Sequence, residues 1–291
     1  MIELYCGTPG SGKSASMMVE LVYHLLSGGV VATNFRLTEH WAEDIVKWRY
    51  KRARKDQEYC LKKARELWLR TFYVGTADSV KLLSKAMKRG DGKGLEKFCS
   101  PKMAKRREGM GRLFIDEAQL YFNSRTWRDN MGFIEFFTQH RKLRWDVVLV
   151  AHAEDMIDGQ IRNLVEMVSC YRALHNVKML GFRPWRLFPP IFWSVQTMQG
   201  RGPGHGSRTS KMANFTLLNK AVASAYDSME VFAFQKLTPR IGRQPSGNLY
   251  KCRKEAKKVE KILKPKLVSE SWPQYYQRIV PGGVNGGTVA L

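Results

Sequence analysis

Gly7-Thr8-Pro9-Gly10-Ser11-Gly12-Lys13-Ser14 fits the pattern G-x-x-x-x-G-K-[ST]. Glycines at these places let successive backbone N–H groups turn toward one anion. A helix starting at the end of the run would add its partial positive charge. Lys13 is placed to reach the β- and γ-phosphates of a nucleotide, and the Ser14 hydroxyl to ligate Mg²⁺. A second reactive group is Asp116-Glu117, two carboxylates that close the apolar run Arg112-Leu113-Phe114-Ile115. Asp116 would hold Mg²⁺ through water, and Glu117 would polarise the attacking water. His152, at the end of Trp145 to Ala151, stands where a polar side chain could sense the γ-phosphate. The chemistry these residues share is hydrolysis of a nucleoside triphosphate, with ATP and Mg²⁺ as the cofactors they imply.

Such side chains need rigid carriers, and the surrounding sequence supplies them. Ile2 to Cys6 reads as a short buried strand before the glycine loop. After it, Met17, Leu21 and Leu25 recur at helical spacing, and Gly28-Gly29 ends that helix. Val30 to Asn34, Thr71 to Val74, Arg112 to Glu117, Trp145 to His152 and Val168 to Arg172 read as further strands. Their continuously apolar cores suit strands covered on both faces. Helices are expected at Val80 to Met87, Phe133 to His140 and Ile157 to Glu166. The segment from Leu37 to Arg70 is polar and compatible with helix, and Lys88 to Gly111 reads as a loop with few apolar anchors. This alternation predicts an α/β fold: a P-loop NTPase core with a mainly parallel sheet flanked by helices. Phe188 to Thr197 and Asn214 to Leu218, with Gly200 to Gly206 between them, read as a hairpin with a flexible tip. The expected organisation is an ATPase core over residues 1–180 with a basic helical insertion at about 38–110. A β-rich extension over 181–235 and a basic arm with a glycine-rich tail over 236–291 follow.

The 291 residues carry 49 Lys and Arg against 26 Asp and Glu, a formal charge of +23. So large an excess points to a polyanionic partner, nucleic acid or an anionic membrane face. Basic blocks lie at Lys47 to Lys55 and Lys105-Arg106-Arg107. Residues 236–266 hold eleven Lys or Arg against two Glu. The five cysteines show no C-x-x-C spacing, so neither a disulfide framework nor a zinc cluster is expected. No signal peptide is expected ahead of the first strand, and no apolar run is long enough for a transmembrane helix.

Beyond the glycine loop, several segments resemble the Zot-like ATPases, above all the assembly protein of filamentous phages. Ala32-Thr33-Asn34 resembles the family's second strand, and Phe122-Asn123-Ser124-Arg125-Thr126-Trp127 its segment after the acidic pair. His140 to Asp146 is similar to its basic segment. Asp158, Gln160 and Arg162 match the stretch that follows the next strand. Ala225-Tyr226-Asp227-Ser228 resembles the Tyr-Asp-Thr motif late in the family's cytoplasmic domain. The resemblance covers roughly residues 1–235, with 38–110 largely unmatched. It implies an oligomeric motor of the wider FtsK/HerA kind, a hexamer, working with membrane or virion assembly proteins on a single-stranded phage genome. The implied location is the host cytoplasm, at the inner membrane through partners. It also implies an arginine lent to a neighbouring subunit's site, with Arg141 and then Arg162 the candidates and Arg125 and Arg128 weaker ones. Relatives continue into a transmembrane helix and carry another polar residue at the place of His152. Three other readings compete: a nucleotide-gated scaffold, a nucleotide kinase and a membrane- or receptor-interacting toxin.

Overall fold

The computed structural model describes residues 1–50, 57–74, 98–122, 127–173, 191–199, 208–217, 220–226 and 241–243. Among them the strands are β1 (Ile2–Cys6), β2 (Val30–Thr33), β3 (Thr71–Val74), β4 (Gly111–Ile115) and β5 (Trp145–Val150), then β6 (Met167–Ala173), β7 (Ile191–Gln199), β8 (Arg208–Leu217) and β9 (Ile241–Arg243). They form one sheet in the order β8-β7-β6-β1-β5-β4-β2-β3-β9. The six from β6 to β3 run parallel. The outer β7, β8 and β9 are antiparallel to their neighbours. The predicted fold class, a mainly parallel sheet flanked by helices, is the one observed.

Alternation within the strands sends side chains into two cores. Ile2, Leu4 and Cys6 of β1 join Val147 and Leu149 of β5 on one face. Tyr5, Val148 and Val150 face the other. The first face is covered by α6 (Trp127–Gln139) through Phe136 and Phe137, and by α7 (Gly159–Arg162) through Ile161. The second is covered by α1 (Lys13–Leu26) and α2 (Trp41–Tyr50), by α3 (Gln57–Leu69), and by α8 (Lys220–Ala223) through Val222. Helix α1 buries Met17, Met18, Leu21, Val22 and Leu25, the i, i+4 stripe the sequence shows. Gly28 closes it at φ +97, and a Cβ there would meet the Ser100 side chain within 2.4 Å.

Two expectations are corrected. Ile157 to Glu166 is not one helix. A 3₁₀ turn at Glu154–Met156 and the single turn α7 replace it. Asp158 caps α7 by accepting the Gln160 N–H. The buried Ile157, Ile161 and Val165 match helical spacing without needing continuous helix. Second, residues 98–111 are well anchored. Ser100 caps the one-turn α4 (Pro101–Ala104), Met103 and Met110 are buried, and Phe98 and Cys99 pack on the core. Strand β9, in the stretch expected as a basic arm, pairs with β3. Thr71–Val74 is a strand, as expected, and pairs with β2. The expected helix at 80–87, the hairpin tip at 200–206, Arg125 and the remainder of the arm lie outside the described residues, as does the side chain of Arg128.

Candidate active site at the carboxyl edge of the sheet

Because β1, β2, β4 and β5 run parallel, the residues that follow them meet at one edge of the sheet. These are Gly7, Asn34, Asp116-Glu117 and His152. Strand β5 lies between the strand that carries the glycine loop and the strand that carries the acids. A topological crevice of this kind is where open α/β sheets bind ligands.

The glycine loop is tied at its start by the Gly7 N–H, which donates to the His152 carbonyl at 3.1 Å. Gly7 takes φ +150, and a Cβ would fall 2.6 Å from the Tyr171 carbonyl oxygen, so only glycine fits. Gly12 N-caps α1 in a left-handed conformation with no capping side chain and no acid in the first turn. The first N–H groups of α1 have no intrahelical acceptor, and their positive end is left to an anion. Ser11 is buried, and its hydroxyl has no hydrogen-bond partner among the described residues. Lys13 is 7% exposed and donates to the carbonyls of Gly7 and Thr8, so its ammonium lies over the loop. Burial lowers its pKa, opposed by the nearby Glu117 and Asp116 charges. Cradle, orphaned hydroxyl, helix end and buried cation together fit a nucleotide's phosphates.

Asp116 is 2% exposed. Its Oδ1 accepts the Glu117 N–H at 3.0 Å and its Oδ2 the Tyr226 hydroxyl at 2.7 Å. The Ser14 hydroxyl is near enough to this carboxylate to lower its pKa. Burial raises the Asp116 pKa, and the bonds from Tyr226 and from the Glu117 N–H oppose that rise. Ser14 and Asp116 are thus neighbours, as the sequence predicts. Their hard oxygen donors suit Mg²⁺, which keeps waters and takes one carboxylate plus phosphate oxygens. Glu117, the cap of the one-turn α5 (Ala118–Tyr121), sits in the left-handed region at φ 51. Gln119 donates to its Oε2, and His152 Nε2 lies 3.4 Å from the same oxygen. His152 therefore does meet the candidate catalytic acid.

The two arginine candidates part company. Arg141 lies in the turn before β5, at the opposite edge of the sheet, where it pairs with Glu166. Arg162 ends α7, whose cap Asp158 donates its N–H to the Phe122 carbonyl in the segment after the acids. The structure brings neither into contact with Lys13, Asp116 or Glu117 of the same chain.

Sequence reasoning gave no role to Asn34 or Gln119. Asn34 Nδ2 donates to the Asp116 carbonyl at 2.9 Å, and its Oδ1 accepts the Asp116 N–H at 2.8 Å. This amide fixes the turn that aims both acids. The signal that could have found it is the one that singled out His152: a polar residue ending an apolar strand of the parallel sheet.

A glycine loop opening α1, with an acid pair two strands away, defines a P-loop NTPase fold. The family model described as Zonular occludens toxin (Zot) matches residues 1–183, and the chain belongs to that family. Among curated relatives, the Gene 1 protein of Enterobacteria phage I2-2 is 26% identical over 185 residues, covering 62% of this chain and 43% of that protein. The Gene 1 protein of Enterobacteria phage fd is 33% identical over 72 residues, covering 24% and 21%. The chain thus spans less than half the length of the curated relatives it matches. Among solved structures, it is similar to the N-terminal domain of zonular occludens toxin from Neisseria meningitidis, at TM-score 0.41 and 15% identity over 78% of this chain and 98% of that one. The DNA-packaging ATPase B204 from Sulfolobus Turreted Icosahedral Virus gives TM-score 0.38 and 12% identity over 74% and 95%.

Proposed function

We propose that this chain is a Mg²⁺-dependent ATPase that drives phage or virion assembly by moving DNA, most simply the single-stranded genome. The observation that carries the reading is the convergence of Lys13, Ser14, Asp116, Glu117 and His152 at the mouth of the Gly7–Ser14 loop. In this scheme the loop N–H groups and Lys13 bind the phosphates. Ser14 and Asp116 would hold Mg²⁺, which neutralises charge on the phosphoryl oxygens when bound. Glu117 orients a water and takes its proton as the water oxygen attacks the γ-phosphorus. The bond from that phosphorus to the β-bridging oxygen breaks, and ADP and phosphate leave. His152, against the same carboxylate, is placed to answer to the γ-phosphate.

Coupling to DNA draws support from the charge of +23 and from relatives that are phage Gene 1 proteins. Lys47, Arg49, Lys105, Arg106 and Arg107 are exposed. Grip on a phosphate backbone through such cations is independent of base sequence and falls steeply with salt. We assign the working form as a homo-oligomer, a hexamer, with Arg162 ahead of Arg141 as the arginine lent to a neighbour. We place it in the host cytoplasm, held to the inner membrane by assembly partners. Among the described residues no helix is long and apolar enough to cross a membrane.

The test is steady-state ATP hydrolysis with and without single-stranded DNA. DNA should stimulate turnover, and K13A and E117Q should each abolish it. Full turnover in K13A would show the reading to be wrong. A second reading, a nucleotide-gated scaffold without sustained hydrolysis, is favoured by the engagement of Glu117 with Gln119 and His152. A single turnover with no DNA-stimulated steady state would select it.

A further inference from the structure

The hydrolytic scheme makes no use of Tyr226, yet its hydroxyl reaches Asp116 Oδ2 at 2.7 Å in the protein interior. Because the Glu117 N–H takes the other oxygen, the carboxylate is pinned at both ends. Each oxygen still keeps a lone pair for a further donor or a metal-bound water. The phenol is delivered by a segment with its own docking contacts. The Tyr226 ring packs on Phe35 with centroids 4.6 Å apart. Thr38 donates its N–H to the Ala225 carbonyl and its hydroxyl to the Ser224 carbonyl, both at 3.0 Å. Val222 and Ala225 are buried in the same core as Met17 and Leu21 of α1.

Phe35 and Thr38 follow Asn34 at the exit of β2, and Asn34 holds the Asp116 backbone. One stretch of chain therefore fixes the main chain of Asp116 directly and its carboxylate through Tyr226. We propose that Tyr226 is a positioning residue for the Asp116 carboxylate, and that its hydroxyl latches residues 220–226 to the state of the nucleotide site. The proposal rests on the nucleotide reading above. The latch explains why a tyrosine more than a hundred residues past the acid pair belongs to the site. Whatever shifts the carboxylate on binding Mg²⁺ and phosphate is felt in residues 220–226.

The test compares the full chain with Y226F, which keeps the ring on Phe35 and removes only the donor. Two readings are taken. One is the affinity for a fluorescent ATP analogue in Mg²⁺ and in EDTA. The other is hydrogen exchange at residues 220–226 with and without Mg²⁺-ATPγS. Y226F should bind about tenfold more weakly in Mg²⁺, the usual effect of losing a partner of a metal-site carboxylate, and equally well in EDTA. Nucleotide should slow exchange at 220–226 in the wild type and leave it unchanged in Y226F. Wild-type affinity of Y226F in Mg²⁺ overturns the proposal, as does an equal loss in both buffers, which would mark a merely structural bond. A wild type that binds no nucleotide sinks the hydrolytic reading and the latch with it. A wild type that binds while Y226F is unaffected sinks the latch alone.

Discussion

Replacing Asn34 by alanine should be among the most damaging single changes at the carboxyl edge. Its side chain sits in the interior, 7% exposed, and makes two good hydrogen bonds to one residue's backbone. In N34A the Asp116 N–H and carbonyl each lose their partner without gaining water. Stranding a buried polar group costs about 1–3 kcal/mol, so two of them give about 4 kcal/mol as a central value. For a domain of this size that is a fall in Tm of about 12 °C. N34D sharpens the test. Its carboxylate can still accept the Asp116 N–H, but it faces the Asp116 carbonyl oxygen with no proton to give. N34D should therefore melt below N34A, although it is the closer match in shape. Turnover should fall at least tenfold in both, because the turn that aims Glu117 is no longer fixed. Thermal melting by circular dichroism, with ATP hydrolysis on the same samples, checks all of this. A melt for N34A within 2 °C of wild type, or N34D melting above N34A, would refute the argument.

Two further predictions concern a polar cluster between the sheet and α1. Glu3, 3% exposed, pairs with Arg112 at 3.0 Å, and burial raises its pKa to about 7, with Glu20 adding to the rise and Arg112 opposing it. R112M leaves this acid without its cation, which costs about 3 kcal/mol for a broken buried pair. The loss should be small at pH 5, where Glu3 carries a proton with or without Arg112, and should grow as the pH rises past 7, where the wild-type carboxyl ionises against its cation; urea unfolding at pH 5 and pH 8 reads both. His24 has the opposite sign: burial, then Arg112, lowers its pKa to about 4. The stability it contributes is present above its unfolded pKa near 6.5 and is lost as pH falls toward 4. Glu3 destabilises as pH rises through 7, so the two slopes offset each other to within about 1 kcal/mol between pH 6.5 and 4.5. H24Q removes one of them, and its urea midpoint should rise on acidification across that range. A flat profile in H24Q would show that Glu3 is not ionising there.

Strands were the most legible part of the chain because a parallel sheet covered on both faces needs continuous apolar runs. Val30 to Ala32, Leu113 to Ile115 and Val147 to Val150 supply them. The Gly7–Ser14 loop and the acid pair were legible because their chemistry requires particular residues at fixed spacing. Periodicity reported which side chains of 157–165 are buried but not the backbone between them, hence the one-turn α7 where a longer helix was expected. The roles of Asn34 and Tyr226 were beyond reach for another reason. Each acts on Asp116 from a distant part of the chain, and no local pattern states which strand exits meet. Arg141, a basic residue just ahead of a core strand, lies at the edge of the sheet away from the loop of its own chain.

The register of β1 carries one more consequence, for the order in which the molecule is made. Both strands that flank β1 come late: Ile2 pairs with Val147 in β5, and Glu3 with Met167 in β6. During synthesis the residues of the phosphate loop leave the ribosome well before those of β5 and β6. Their strand waits until Val147 and its neighbours are made before it has a partner, and closing so long a loop is slow. Gly7 cannot give its N–H to His152 until that residue too has been made. Nascent chains should therefore be blind to nucleotide until residue 173 has emerged, and the exposed β1 edge is the species a chaperone would have to shield.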